Sequence, residues 1–464
     1  MTAPSASPNA EQFFLKRFDA DFLQNAKVAE LLPSVRDLGK RYRISPVTVT
    51  RGLKTLAMAG RIITKPGSGT FVAEPQSIKS VLDTSWQALA LGARATLGSE
   101  MQILLQNPRP EIISLGSGYP DELLQPHALL SKAANHALRR PEVWSRSPVA
   151  GLEALRLWFA RATSSNISSQ DVLIAPGGQS AVAICLRALV APGGTLVLES
   201  PSYFGALAVA RSSGMTTIPV PIDQHGLRPD WLETALQSSG AKVIYLQPNH
   251  HNPTGITLIP ERRKAILDVA AKFNAFIIED DYAHDFTLEG TKPRPLLLDD
   301  TDGRVIYIRS LTKSTAPSLR IAAIIARGAV FERLRAQLAI TEMFTPQVMQ
   351  LTALELVSSP AWEKHLKALR QNLKQRRDTL VGALEQHGYT VPHIPKGGFG
   401  LWLPVPYDDL EFAQNAMQHG VQVASGRAWF CAETGGNFVR LSYAAAPEAQ
   451  LLEAAKRLGM VLTS

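Results

Sequence analysis

The chain has 464 residues, 45% of them hydrophobic and 19% charged, which leaves room for two or three domains with sizeable cores and excludes a disordered polymer. Its net charge of +8 is unevenly laid: residues 1–75 hold 11 Lys and Arg against 6 Asp and Glu, and residues 33–75 alone hold 8 against 2. A basic block on a nearly neutral body points to one nucleic-acid-facing module rather than a surface that is sticky throughout. Two cysteines, Cys185 and Cys431, exclude a disulfide framework, and Cys185, within AVAICLRALV, reads as a buried small hydrophobe. The opening MTAPSASPNAEQFF lacks the positive flank and apolar core of a signal peptide, and no apolar run reaches the ~18 residues of a membrane span. The expectation is a soluble protein of a reducing cytoplasm, with no membrane partner.

In chain order, residues 10–75 form the first module. Ser34 is placed to cap a short helix, and Pro46 suits the first turn of the next one, which carries Val47, Val49, Leu53, Leu56 and Ala57 towards a core. Gly60 stops that helix. Two β segments, 61–64 and 70–73, flank the turn Pro66-Gly67-Ser68-Gly69 and make a hairpin. Helix, tight turn, helix and hairpin is the layout of a winged helix-turn-helix.

Residues 76–110 form a connector, part of which (SVLDTSWQALALGARATL) has helical spacing. From about Ile112 the pattern becomes α/β. Apolar β-rich runs at 172–175, 195–198, 216–219, 242–246, 275–279, 304–308 and 320–326 alternate with amphipathic stretches, which argues for a largely parallel sheet covered on both faces. The body spans 111–464, and within it residues 360–464 read as a smaller α+β unit with a long helix from about Trp362 to His387.

In parallel sheets chemistry gathers at the carboxyl ends of strands. After VLIAP comes Gly177-Gly178-Gln179-Ser180, a glycine turn opening a helix whose N–H groups suit an anion. After TLVLES comes Pro201-Ser202-Tyr203, an aromatic ring at the same rim. After KVIYLQP comes NHHNPTG with Asn252, and after AFII comes Glu279-Asp280-Asp281-Tyr282, acids whose burial calls for a waiting cation. After VIYIR comes Ser310-Leu311-Thr312-Lys313, with Arg320 seven residues beyond the lysine. An anion cradle, a stacking ring, an Asn donor, an acid, a lysine and an arginine are together the parts that hold pyridoxal 5′-phosphate. The lysine forms the Schiff base, the acid keeps the pyridine nitrogen protonated, and the arginine grips the phosphate. No metal enters this scheme.

On GGQS, PSY, NPTG, EDDY, SLTK with Arg320, and RLSYA, residues 112–462 resemble the fold-type-I aminotransferases. The resemblance implies Lys313 as the Schiff-base lysine and Asp280 as the partner of the pyridine nitrogen. It further implies Asn252 and Tyr282 at the ring 3′-oxygen, Tyr203 stacked on the ring, and Gly178, Gln179, Ser310 and Arg320 at the phosphate. Arg440 matches the family arginine that grips a substrate carboxylate. Two departures stand out: Arg146 occupies the position of a family Tyr donated across the dimer, and Tyr282 follows Asp280 by two residues where three are common.

LPSVRDL, the turn into S-x-x-T-V and the wing GSGTFV make residues 33–73 similar to the GntR-type winged helix. That resemblance implies Arg36, Ser45, Thr48, Thr50 and Lys65 facing DNA, with Arg36 and Lys65 on phosphates. Base readout then falls on Val47, Thr48 or Arg51, because Pro46 stands where a base-reading Arg is frequent. A GntR-type head on an aminotransferase-like body resembles the MocR subfamily of bacterial regulators. This implies a homodimeric regulator that binds operator DNA and senses an amino compound, or the cofactor itself, through Lys313. Two other readings stay open: a working aminotransferase with an appended head, and a structural dimer without its cofactor.

Overall fold

The computed structural model describes residues 8–23, 26–74, 83–91, 109, 111–432 and 434–463. The chain divides into two compact units, residues 1–95 and 96–464.

In the first unit, helix α1 (Pro8–Phe18) is followed by α2 (Val35–Tyr42) and α3 (Pro46–Met58), then by the hairpin β1 (Ile62–Lys65) and β2 (Gly69–Val72). Ser34 and Ser45 are the N-caps, each accepting a backbone N–H three residues on, at 3.2 and 3.1 Å. The strands pair antiparallel from Ile62 opposite Val72 to Lys65 opposite Gly69, closing over the Pro66–Ser68 turn. Their apolar faces meet in one core of Phe14, Phe18, Leu38, Val49, Leu53, Leu56 and Ile62. Helix α1 is the part that sequence patterning passed over. Its Phe14 and Phe18 are completely buried, because Gly52 of α3 leaves a notch: a Cβ there would stand 2.3 Å from the Phe14 ring.

Helix α4 (Ser85–Leu91) is the described helical part of the expected connector; the rest of that helical reading lies largely outside the described residues.

The second unit begins with the short strand β3 (Ile113–Ser114), and helix α5 (Glu153–Thr163) follows. The large sheet then comes in sequence as β4 (Val172–Ala175), β5 (Thr195–Ser200), β6 (Thr216–Asp223), β7 (Gly226–Leu227), β8 (Val243–Leu246), β9 (Phe276–Asp281), β10 (Val305–Ser310) and β11 (Ala322–Ile325). Its spatial order is β4-β11-β10-β9-β8-β5-β6-β7. The pairs from β10 to β6 are parallel, whereas β11 runs antiparallel to both its neighbours and β7 closes a hairpin on β6. Alternate residues of one strand enter different cores. Val197, Ile277 and Tyr307 face one layer, and Leu196, Ile278 and Ile308 the other, as the two-residue period of a strand requires.

Helix α6 (Gly178–Leu189) covers the second face. The long helix α7 (Ala361–Gln386) ties the large sheet to the small domain: Trp362 and Leu366 lie in the large core, Leu369, Leu373 and Leu380 in the small one. The small domain holds β12 (Gly400–Pro404), β13 (Val421–Gln422), β14 (Ala424–Ser425) and β15 (Phe438–Ser442), with β12-β15-β14 antiparallel. Its core also takes in Ile113, Leu115 and Leu124 from the start of the body, drawn there because β3 pairs with β13.

Candidate cofactor site and nucleic-acid interface

A cavity of about 400 Å³ opens where the parallel strands end. It gathers Gly178, Gln179, Tyr203, Asn252, Asp280, Tyr282, Ser310, Lys313, Arg320 and Arg440 into one lining. The acids of EDDY do not follow a finished strand; they complete β9. Strand alternation therefore separates them. Asp280 faces the cavity, while Glu279 turns away to accept the N–H groups of Leu296 and Leu297 at 2.7 and 2.8 Å, and Asp281 to accept from Tyr307 at 2.7 Å.

Both bonds that hold Asp280 go to Oδ2, from Tyr245 Oη at 2.6 Å and Gln247 Nε2 at 2.9 Å. Oδ1 is left for an occupant of the cavity. Burial pushes this carboxyl up to about 6, against the pull of the two donors. Lys313 Nζ donates to Gly118 O at 2.7 Å and lies 3.5 Å from the Tyr119 ring centroid. Burial, with Arg440 and Arg320 adding like charge, brings its ammonium down to about 7.

The phosphate end is built from backbone. Helix α6 starts with Gly177 at its N-cap and no side chain bonded to its first N–H groups, so a positive dipole end meets the cavity. A Cβ on Gly177 would stand 2.6 Å from Arg320 Cζ, and one on Gly178 would stand 3.4 Å from Ser310 Cβ. Glycine is needed at the first also because its φ is +95°. Tyr203 is pinned to the wall by its bond to Gln179 Oε1 at 2.9 Å.

Arg440 is 3% exposed. It donates to Gly116 O at 2.8 Å and to Asn252 Oδ1 at 3.4 Å, while its Nε has no partner among the described residues. Burial lowers it to about 10. The lining thus sets three cations, Lys313, Arg320 and Arg440, against one carboxylate, and buries an unpartnered Thr312 hydroxyl beside them. Buried charge of this kind calls for an anionic occupant. The glycine cradle, the cations and the free edge of Asp280 fit pyridoxal 5′-phosphate.

One expectation meets a different geometry. The Tyr282 hydroxyl donates to His250 O at 2.7 Å, so it is committed to the backbone rather than offered to a ring oxygen. Arg146, at the position of a residue given across the dimer, is exposed and stands outside its own chain's cavity, as such a position allows. Sequence reasoning also missed Gly116, Gly118, Tyr119, Phe204, Gln247 and Phe399, which share the lining. Gln247 could have been found, since it is the residue just past the carboxyl end of β8, on the rim where the other site residues gather. The Gly116–Tyr119 segment carries no such local signal.

In the first unit Arg36, Val47, Thr50, Arg51 and Lys65 are exposed. Thr48 is not the outward-facing residue expected from its motif. It is 8% exposed and its hydroxyl lies 2.8 Å from Ser45 Oγ, inside the helix cap. Thr50 Oγ1 donates to Pro46 O at 2.9 Å and stays at the surface.

Residues 110–458 match the family described as aminotransferase class I and II, and residues 24–72 match the gntR family of bacterial regulatory proteins. The HTH-type transcriptional regulator YdfD of Bacillus subtilis is 29% identical over 94% of this chain and 92% of its own length. An archaeal alanine:glyoxylate aminotransferase is 30% identical, with a TM-score of 0.72 over 78% of this chain and 93% of that one. LysN, the α-aminoadipate aminotransferase of Thermus thermophilus, solved with N-(5′-phosphopyridoxyl)-L-leucine, is 27% identical. Its TM-score is 0.73 over 79% of this chain and 95% of that one.

Proposed function

The chain belongs to the class I and II aminotransferase family and carries a GntR-type head, the pairing of the MocR subfamily; on that premise we propose that it is a homodimeric regulator that binds operator DNA and senses an amino compound. Pyridoxal 5′-phosphate is the cofactor of this fold. When bound, it supplies an aldehyde that condenses with amines and a ring that withdraws electrons.

The chain's own residues do the rest. Lys313 is the covalent anchor, and an ammonium lowered to about 7 leaves much of its Nζ unprotonated at neutral pH. Asp280 holds a proton at the ring nitrogen, Arg320 with Ser310 and the start of α6 takes the phosphate, and Tyr203 walls the ring. Arg440 has no carboxylate partner among the described residues and is placed for the carboxylate of the effector. The observation that carries the reading is this cavity of two arginines, a lysine and one acid in a chain whose residues 24–72 match a DNA-binding regulator family and carry a basic excess. Arrival of the effector changes DNA affinity to the extent that it binds two arrangements of the dimer differently.

The test is a visible absorbance titration of the purified full chain with amino acids and amines, run beside its binding to the DNA upstream of its own gene. One amine is expected to move the visible band and the DNA affinity together, and Lys313→Ala to lose both the band and the coupling. Sustained turnover with a keto acid while DNA affinity stays fixed would overturn the proposal and make the protein an aminotransferase with an idle head.

A further inference from the structure

The alternation that aims Asp280 and Ser310 at the cofactor cavity aims Asp281 and Arg309, paired across β9 and β10, at the opposite face of the sheet. A second cavity, of about 570 Å³, lies there, between α5, the loop after β9 and the first turns of α7. Arg309 and Asp285 lie deep in it, 4% and 6% exposed. Lys292 and Glu363 are exposed members of the lining, and Arg370 is half-buried.

Arg309 is only partly satisfied. Its Nη2 donates to Asp285 at 3.2 Å and its guanidinium stacks 5.1 Å from the Trp158 ring, while Nε and Nη1 are buried with no hydrogen-bond partner. An arginine held this way lacks part of what it lost in leaving water. Arg370 has no carboxylate within 4 Å among the described residues. Among the described residues the lining therefore holds three basic side chains, Arg309, Arg370 and Lys292, the last with its Nζ 2.6 Å from His284 Nε2, against the two carboxylates Asp285 and Glu363.

We propose that this cavity is a second ligand site, for a small molecule bearing an oxyanion, a carboxylate or a phosphate, gripped by Arg309 with Lys292 and Arg370. Guanidinium groups suit both oxyanions because their N–H groups match paired oxygens. The site is distinct from the cofactor cavity yet one residue away from it along two strands, through Asp281 to Asp280 and through Arg309 to Ser310. It also touches α7 where that helix passes from the large core to the small one. Its occupant is a second chemical input to the body, separate from the amine.

Cofactor-loaded full-length protein, whose own phosphate cradle is filled, is titrated by calorimetry with inorganic phosphate and with malonate. At least one is expected to bind with 1:1 saturation, and to lose about tenfold in affinity, the equivalent of ~1.4 kcal/mol, in both Lys292→Gln and Arg370→Gln, with the visible band unchanged. Both variants leave the Arg309–Asp285 pair intact; Lys292→Gln also gives up the bond to His284, so Arg370→Gln, which breaks no ion pair among the described residues, is the arm that separates ligand binding from folding. Which probe binds separates a phosphate ligand from a carboxylate one. Failure of both probes to bind, or affinities that neither substitution moves, would overturn the proposal.

Discussion

Lys313 and Asp280 line one cavity, and burial drives both towards neutrality, the lysine down to about 7 and the acid up to about 6. For the lysine the sign has a direct consequence. A nucleophile whose ammonium is lowered reaches full reactivity near pH 7, whereas an ordinary lysine keeps gaining until about pH 10. In cofactor-free protein, acetic anhydride labelling of Lys313, followed by peptide mass spectrometry, should rise about tenfold per pH unit below 7 and then level off. Exposed lysines in the same sample should keep rising. A Lys313 rate still climbing above about pH 9 would show that neither burial nor the two arginines depress it.

At the scale of elements, single small residues decide how helices meet. Helix α1 joins the head only because Gly52 offers no Cβ, and Phe14 occupies that space with its ring. Gly52→Ala improves the propensity of α3 but forces a clash in a filled core, at a cost of about 1–3 kcal/mol. Hydrogen exchange should therefore speed up in peptides from residues 8–23 while peptides from the large sheet are unchanged. Unaltered protection of α1 would mean that Phe14 has room to move. The same economy operates at the cofactor cavity, where Gly177 lets Arg320 approach the start of α6.

Over the whole molecule, charge is partitioned by task. The excess of 8 basic over 2 acidic residues within 33–75 belongs to the head, whereas in the body Lys313, Arg320 and Arg440 line one cavity and Arg309, Lys292 and Arg370 another. DNA binding should accordingly fall steeply with salt through counterion release at the head. Arg36→Ala should weaken binding about equally on every duplex and reduce the slope of log affinity against log salt by about 1. A loss confined to one operator sequence would instead mark Arg36 as a reader of bases.

The sequence by itself determined the alternation of strands and helices in the body, the head's caps and wing, and that Lys313, Asp280, Arg320 and Arg440 line one cavity. These are local signals: a cap is written three residues from its helix turn, and motifs at the carboxyl ends of strands are bound to share a rim. The tertiary structure alone decided what depends on distant pairing. It brought Gly116–Tyr119 beside Lys313 because β3 pairs with β13, some three hundred residues later. It split three consecutive acids between two faces because the strand ran on through them. It turned the Thr48 hydroxyl inward onto the capping Ser45, and it left Arg309 half-satisfied on the far side of the sheet. Burial and partner choice come from packing, and packing is not a local property of the chain.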